Sequence, residues 1–284
     1  MASLRLSQQT IVLALFLLLA LGFALFLPGF SQLDNLLTLL QNVAILGILG
    51  LGMAVVVIGR GIDISMIAAL AVPSGFLLQQ MQNGQELAAA VPFVFLMSLA
   101  FGLANGWLIA YAEVPSLFTT LASGLFLAGL GQAFIFQLEG VQWPPALDVL
   151  AWMGRGSVAG VPMPVIMFAI AALVLGLFLR RVRAGAFIYA LGDNPFAARA
   201  TGLPTRPTMV LQYVLAALIG LFAGVVMAAS VNSMPTRVFN STMVYDVVLV
   251  VVLGGIGLSG GRGGVLNVVI GTLLIGTLLN GMTI

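Results

Sequence analysis

The sequence predicts an all-α polytopic membrane helical bundle with discontinuous helices, built as a single transmembrane domain over residues 1–284. Three observations lead there. Hydrophobic residues make up 61% of the chain and charged residues 6%, against about 25% charged in soluble domains. Apolar runs recur at the length of about 20 residues that crosses a bilayer as a helix. Glycine clusters, drawn from 34 glycines in all, interrupt several of these runs, where a membrane helix has to stop and restart.

The absences exclude whole classes of chemistry. There is no histidine and no cysteine, and all ten basic residues are arginine. Without lysine there is no phosphate loop of the Gly-Lys-Ser/Thr kind and no Schiff base. Without His or Cys there is no usual zinc site, thiol nucleophile or Ser-His-Asp triad. No catalytic residue, metal site or cofactor is therefore expected. The net charge of +2 reflects orientation in a membrane, not nucleic-acid binding.

Nine spans are predicted, at roughly residues 10–30, 40–59, 64–82, 88–111, 115–137, 163–180, 208–230, 243–258 and 263–284. The first follows Arg5, is longer than a signal-peptide core and lacks an A-x-A cleavage site, so it is read as an uncleaved span. With the N-terminus in the cytoplasm, Arg5, Arg60, Arg180, Arg181, Arg183, Arg199, Arg206 and Arg262 fall inside, and Arg155 and Arg237 outside. That asymmetry is what the positive-inside rule requires.

The longest outer loop, residues 138–162, holds Trp143 and Trp152. Tryptophans there mark the interfacial belt, or else a short outer helix that touches a soluble partner; the belt is the favoured reading. The pairs Gly102/Gly106 and Gly220/Gly224 are read as devices for close helix crossing.

Residues 55–65, VVVIGRGIDIS, and 250–259, VVVLGGIGLS, repeat one pattern with a one-residue gap. Each reads as a span that stops at glycine (Gly59 and Gly61; Gly254 and Gly255) and restarts after a serine, Ser65 or Ser259, able to cap the next helix. Paired interruptions of this kind often flank a transport pathway, although Gly-rich membrane turns also resemble one another. Arg60 and Asp63 lie three apart and are expected to lower each other's cost at the membrane. Asp63 is read as a structural pin accepting the amides of residues 64–66, with proton coupling as the alternative. Asp246 opens the eighth span, where the helix dipole stabilises it; contact with a hydroxylated solute is the second reading. Asn42, Asn105, Thr119 and Thr120 are further candidates to line a pathway, although most such groups simply bond across helices.

The polar island in the chain is Ile188 to Gly202, IYALGDNPFAARATG. Gly192 is read as a break. Asn194 is an N-cap, Pro195 suits the first helical position, and Gly202 closes the helix ahead of Pro204. The expectation is a cytoplasmic helix of about two turns, too short to stand alone in water. It is either an ordinary capped loop helix or a preformed element on which a soluble motor pushes.

At this point the residues resemble a known family. GRGIDIS (59–65), GLANGWLIA (102–110), VPSLFTTL (114–121), residues 188–202 and LGGIGLSGGRGG (253–264) appear in the order found in the permease subunits of bacterial ABC importers for ribose, galactose, xylose and related sugars. The resemblance implies a passive permease in the bacterial inner membrane that forms the pathway for a small hydroxylated solute. It implies three kinds of partner: cytoplasmic ABC ATPase subunits, a second permease as homo- or heterodimer, and a periplasmic sugar-binding protein; membrane lipid is the partner that the composition itself implies. It also assigns Asn194, Pro195, Phe196, Ala197, Ala198, Arg199 and Gly202 to ATPase coupling. Departures from the family pattern stand at Met66, Tyr245 and Phe196. Family members continue past the position of Ile284 by a helix or two, so ten spans are expected in the complete protein. The competing reading is an ion-coupled secondary transporter using Asp63 or Asp246; a channel is the third.

Overall fold

The computed structural model describes residues 8–136 and 139–284; Arg5, assigned to the inner side above, lies outside the described residues. The helices are α1 (Gln8–Phe26), α2 (Leu33–Ile58), α3 (Met66–Gln82), α4 (Leu87–Ala110), α5 (Ser116–Phe134), α6 (Asp148–Arg155), α7 (Met163–Arg181), α8 (Arg183–Asp193), α9 (Pro195–Ala200), α10 (Thr205–Val231), α11 (Met243–Leu253) and α12 (Val265–Gly281). Six of these, α1, α2, α4, α5, α7 and α10, are long and apolar enough to cross a membrane. Shorter apolar helices complete the polytopic bundle, as the composition requires.

The centre of the bundle is α2, buried continuously from Val43 to Ile58. It packs against α7, α10, α11 and α12, which is why its run can be apolar on every face. The small-residue pairs do what was expected of them. A Cβ on Gly102 or Gly106 would lie 2.6 Å from the Val214 or Val210 Cα, so α4 and α10 touch backbone to backbone. Gly224 meets the Leu70 carbonyl oxygen in the same way, joining α10 to α3.

Helix α2 starts at Leu33, seven residues before the predicted start of its span, and two further expected features change. The eighth span was predicted over 243–258, but α11 ends at Leu253 and has 11 residues. At about 1.5 Å per residue it covers roughly half of a ~30 Å bilayer core. The chain reaches α11 through a 3-10 turn, Thr236–Asn240, packed on α3. The second correction is at Gly192, which does not break the chain: it lies inside α8, a helix that follows α7 after Val182 alone.

One end of the bundle gathers the segments between α2 and α3, α4 and α5, α7 and α10, and α11 and α12. Arg60, Arg180, Arg181, Arg183, Arg199, Arg206 and Arg262 belong to that end. The other end carries α6 and two minimal β pairings. Val141–Gln142 (β1) pairs antiparallel with Ser233–Met234 (β4), and Ser157–Val158 (β2) forms a hairpin with Val161–Pro162 (β3). Trp143 is not part of an interfacial belt. It is buried, its Nε1 donates to Asp148 Oδ1 at 3.2 Å, and the Arg155 guanidinium lies 5.6 Å over its ring. Trp152 remains exposed.

Gly224→Val tests the α3–α10 contact. Overpacking there is expected to cost about 1–3 kcal/mol, lowering the thermal midpoint in detergent. Gly22→Val, where a Cβ has no neighbour within 4 Å, should leave the midpoint unchanged.

Candidate functional site

The two interrupted segments end their helices by one hydrogen-bond pattern. After α2, the amides of Gly59, Arg60 and Gly61 donate to the carbonyls of Val55, Val57 and Val56 at 3.2, 2.9 and 2.9 Å. After α11, Gly254, Gly255 and Ile256 donate to Val250, Val252 and Val251, each at 3.0 Å. The aligned residues Arg60 and Gly255 both hold positive φ, 73° and 96°. The repeat seen in the sequence is therefore also a repeat of backbone geometry.

The segments restart differently from the expectation. Ser65 precedes α3 but caps nothing with its side chain. Ser259 is exposed and lies well before α12, whose N-cap is Gly264. Asp63 is a pin, though of narrower reach than residues 64–66. Its Oδ1 accepts the Ser65 amide at 2.9 Å and the Ser65 hydroxyl at 2.5 Å. The Ile64 amide goes to Thr120 Oγ1 at 3.1 Å, and the Ile62 amide to Ser116 Oγ at 3.3 Å. Asn105 Nδ2 donates to Ser65 Oγ at 3.1 Å. Arg60 is exposed and forms no ion pair with Asp63; among the described residues the ion pairs are Arg155–Asp148 and Arg206–Glu113. The buried groups Asp63, Ser65, Asn105 and Thr120 thus tie the first interruption to α4 and α5.

The second interruption is held by Asn267 on α12, whose Nδ2 donates to Gly254 O at 2.8 Å and whose Oδ1 accepts from Gln9 Nε2 at 2.9 Å. The two interruptions also bond to each other: Gly261 N donates to Ile58 O at 2.8 Å. α8 sits on that junction. A side chain on Gly192 would run into Ile58 O and come within 2.5 Å of Gly261 N, while a Cβ on Gly261 would lie 2.6 Å from Asp193 Cα. Tyr189 Oη donates to Gly263 O at 2.8 Å. No single-sequence signal identifies this role for Gly192 and Tyr189, because it depends on three segments meeting.

α9 is attached directly to this assembly, since Asn194 ends α8 and caps α9. Its Oδ1 accepts the amides of Phe196 and Ala197 at 3.1 and 3.0 Å. At the other end Gly202, with φ 78°, donates to Arg199 O, and Leu203 donates to Ala198 O, both at 3.0 Å. This six-residue helix is closed by a Schellman motif. Phe196 is 86% exposed, and Ala197 and Arg199 are exposed beside it. Ala198 is instead 4% exposed and faces the protein, so it does not belong to an outward docking face; at i, i+3 spacing Phe196 and Arg199 share that face and Ala198 points away.

The remaining candidates separate into two places. Thr119 is buried with its hydroxyl on Pro115 O at 3.2 Å, near the Asn105–Thr120 network. Asn42 and Asp246 come together elsewhere, lining a cavity of about 280 Å³ between α2, α11 and α12.

A helical membrane bundle with paired interruptions, and a short capped helix joined to both through α8, is the arrangement that a transport permease needs. Residues 35–284 match the family described as branched-chain amino acid transport system / permease component. The chain belongs to this family, the non-catalytic membrane component of ABC importers. It is 30% identical over 281 residues to the ribose import permease protein RbsC of Escherichia coli strain K12, covering 98% of this chain and 87% of that protein. Similarity to the galactofuranose transporter permease protein YtfT of the same strain is 32% over 248 residues, 86% of this chain and 72% of the relative. The autoinducer 2 import system permease protein LsrD of Photorhabdus laumondii is 29% identical over 277 residues, 95% and 81% of the two chains. No solved structure matches the chain.

Asp63→Ala is expected to remove the acceptor of two buried hydrogen bonds and destabilise the bundle by about 1–3 kcal/mol. The check is the thermal midpoint together with the pH profile of uptake in the assembled transporter. A stable variant with an altered pH profile would establish proton coupling instead.

Proposed function

We propose that this permease forms the translocation pathway for a small hydroxylated solute, a monosaccharide or a molecule of like chemistry. The names of the relatives support that solute class. The observation that carries the mechanism is the single connected unit of α8 and α9, seated on both interruptions at Gly192 and presenting Phe196 and Arg199 outward. In this reading the arginine-rich end is cytoplasmic, and ABC ATPase subunits dock on Phe196, Ala197 and Arg199. Asn194, Pro195 and Gly202 hold the docking helix in shape. Closure of the ATPases moves α9. Because α8 contacts Ile58 and Gly261 directly, the displacement reaches the ends of α2 and α11 and shifts the bundle between its two access states. A second permease and a periplasmic binding protein complete the transporter, the latter on the end that carries α6.

In the transporter with its ATPase present, Arg199→Glu and Phe196→Asp should reach the membrane in normal amount. Both should lose ATPase co-purification and drop solute uptake by about tenfold or more, the effect of removing an interface anchor. Normal uptake by both variants would sink the coupling assignment. ATP-independent uptake driven by an ion gradient would replace it with the secondary-transporter reading.

Orientation has its own measurement, made clean by the absence of cysteine. A cysteine at the exposed Ala200 should resist an impermeant thiol reagent in intact cells and react after permeabilisation. One at Ala159, in the β2–β3 hairpin turn, should react in intact cells. The opposite pattern reverses the topology.

A further inference from the structure

The cavity between α2, α11 and α12 is lined by four polar side chains: Thr283, whose hydroxyl donates to Asn280 O at 2.7 Å, and Asn42, Asp246 and Asn280. Asn42 is the tenth residue of α2 and the third of the span predicted over 40–59, just inside its outer boundary. It is exposed and makes no hydrogen bond among the described residues. Asp246 has Thr242 Oγ1 as a donor to Oδ2 at 3.3 Å and no ion-pair partner among the described residues. An ionised carboxylate at this depth needs water or a polar ligand. Asn280 is fixed by a reciprocal amide pair with Asn35, at 3.1 and 3.0 Å. Each amide has two donors and two lone pairs, so one N–H and one lone pair of Asn280 stay unused. Leu46, Met243 and Leu279 supply an apolar wall.

The helix that carries Asp246 adds a second argument. α11 is too short to span the membrane and has non-helical chain on both sides. Irregular backbone at membrane depth is tolerated where it lines a water-filled cavity or is covered by protein, and not against lipid. Asp246, in the first turn of this helix, lines the cavity.

We infer that Asn42, Asp246 and Asn280 form the solute-contacting site of this permease, with a neutral polyhydroxylated ring as its ligand. The inference rests on the function proposed above and assigns that function its residues. A carboxylate and two amides offer both acceptors and donors, which suits adjacent hydroxyl groups, each a donor and an acceptor. The apolar wall suits the C–H face of such a ring. The volume, about 280 Å³, lies just below the ~300–1,000 Å³ range of drug-sized ligand sites, which suits a ligand as small as a monosaccharide.

The test uses the whole transporter, with ATPase and binding protein, in proteoliposomes. Single cysteines replace Asn42 and Asn280, and Leu18→Cys on the 68% exposed face of α1 serves as the lipid-facing control. A hydrophilic methanethiosulfonate reagent should modify positions 42 and 280 at least about tenfold faster than position 18, since the reactive thiolate requires water. With D-ribose as probe, Asp246→Asn should raise the KM for uptake, and Asp246→Leu should abolish uptake while ATPase co-purification is retained. Modification of 42 and 280 no faster than 18, or D-ribose uptake by Asp246→Leu with unchanged KM, overturns the inference. Absence of D-ribose uptake by the unmodified transporter overturns ribose as the solute, and the labelling rates then decide the cavity. Failure here together with loss of uptake in Arg199→Glu refutes this site while the coupling mechanism stands.

Discussion

The hydrogen bond from Gly261 N to Ile58 O is the interaction on which the arrangement of this permease depends. A helix interrupted within a membrane protein exposes carbonyls and amides that lipid cannot satisfy. Here the end of α2 and the loop after α11 satisfy each other. The two segments therefore have to meet, and the position of α3, α11 and α12 follows from that meeting. The approach is close enough that the third element at the junction, α8, must present a residue without a side chain, and Gly192 is that residue.

Each interruption is also fastened to a different part of the bundle. The first hangs from hydroxyl and amide groups of α4 and α5, through Asn105, Ser116 and Thr120. The second is fastened to α12 and α1 through Asn267 and Gln9. Arg60 adopts φ 73° where the aligned residue of the second copy is Gly255. A non-glycine residue in that conformation costs on the order of 1–3 kcal/mol. The strain is accepted because the amides of Arg60 and Gly61 close the α2 terminus on Val57 and Val56.

In the proposed mechanism α8 and α9 act as a lever with a short arm. Asn194 is at once the C-cap of α8 and the N-cap of α9, so no flexible linker separates the exposed Phe196 from the buried Gly192. Interfaces that pack backbone against backbone deform little; they shift as units. A push on α9 consequently acts on the two helix termini together and need not pass through a chain of side chains. The cavity at Asn42 and Asp246 lies on the same two helices, α2 and α11, that the junction holds, so the proposed docking helix and the proposed solute site would share their moving parts.

The polytopic helical class, the glycine interruptions and the caps of α9 were determined by the sequence itself, because each reflects a local rule: apolar length, backbone freedom at glycine, or a side chain reaching its own neighbouring amides. The match of 55–65 with 250–259 was likewise readable, since helix termination is encoded within a few residues. Other features were decided by tertiary structure. Gly192 reads locally as a helix breaker, yet α8 runs through it because its missing side chain makes room for Ile58 and Gly261. Ala198 reads as part of an outward face, yet it is buried because α9 lies flat on the neighbouring helices. The apolar run 243–258 reads as a full span, yet α11 stops at Leu253, where Gly254 and Gly255 turn the chain and Asn267 of α12 takes up the Gly254 carbonyl. Asn42 and Asp246 share a cavity, while Asn105 and Thr120 serve the first interruption. Nothing in their spacing separates these roles, because they depend on which helices meet, and residues hundreds of positions apart decide that.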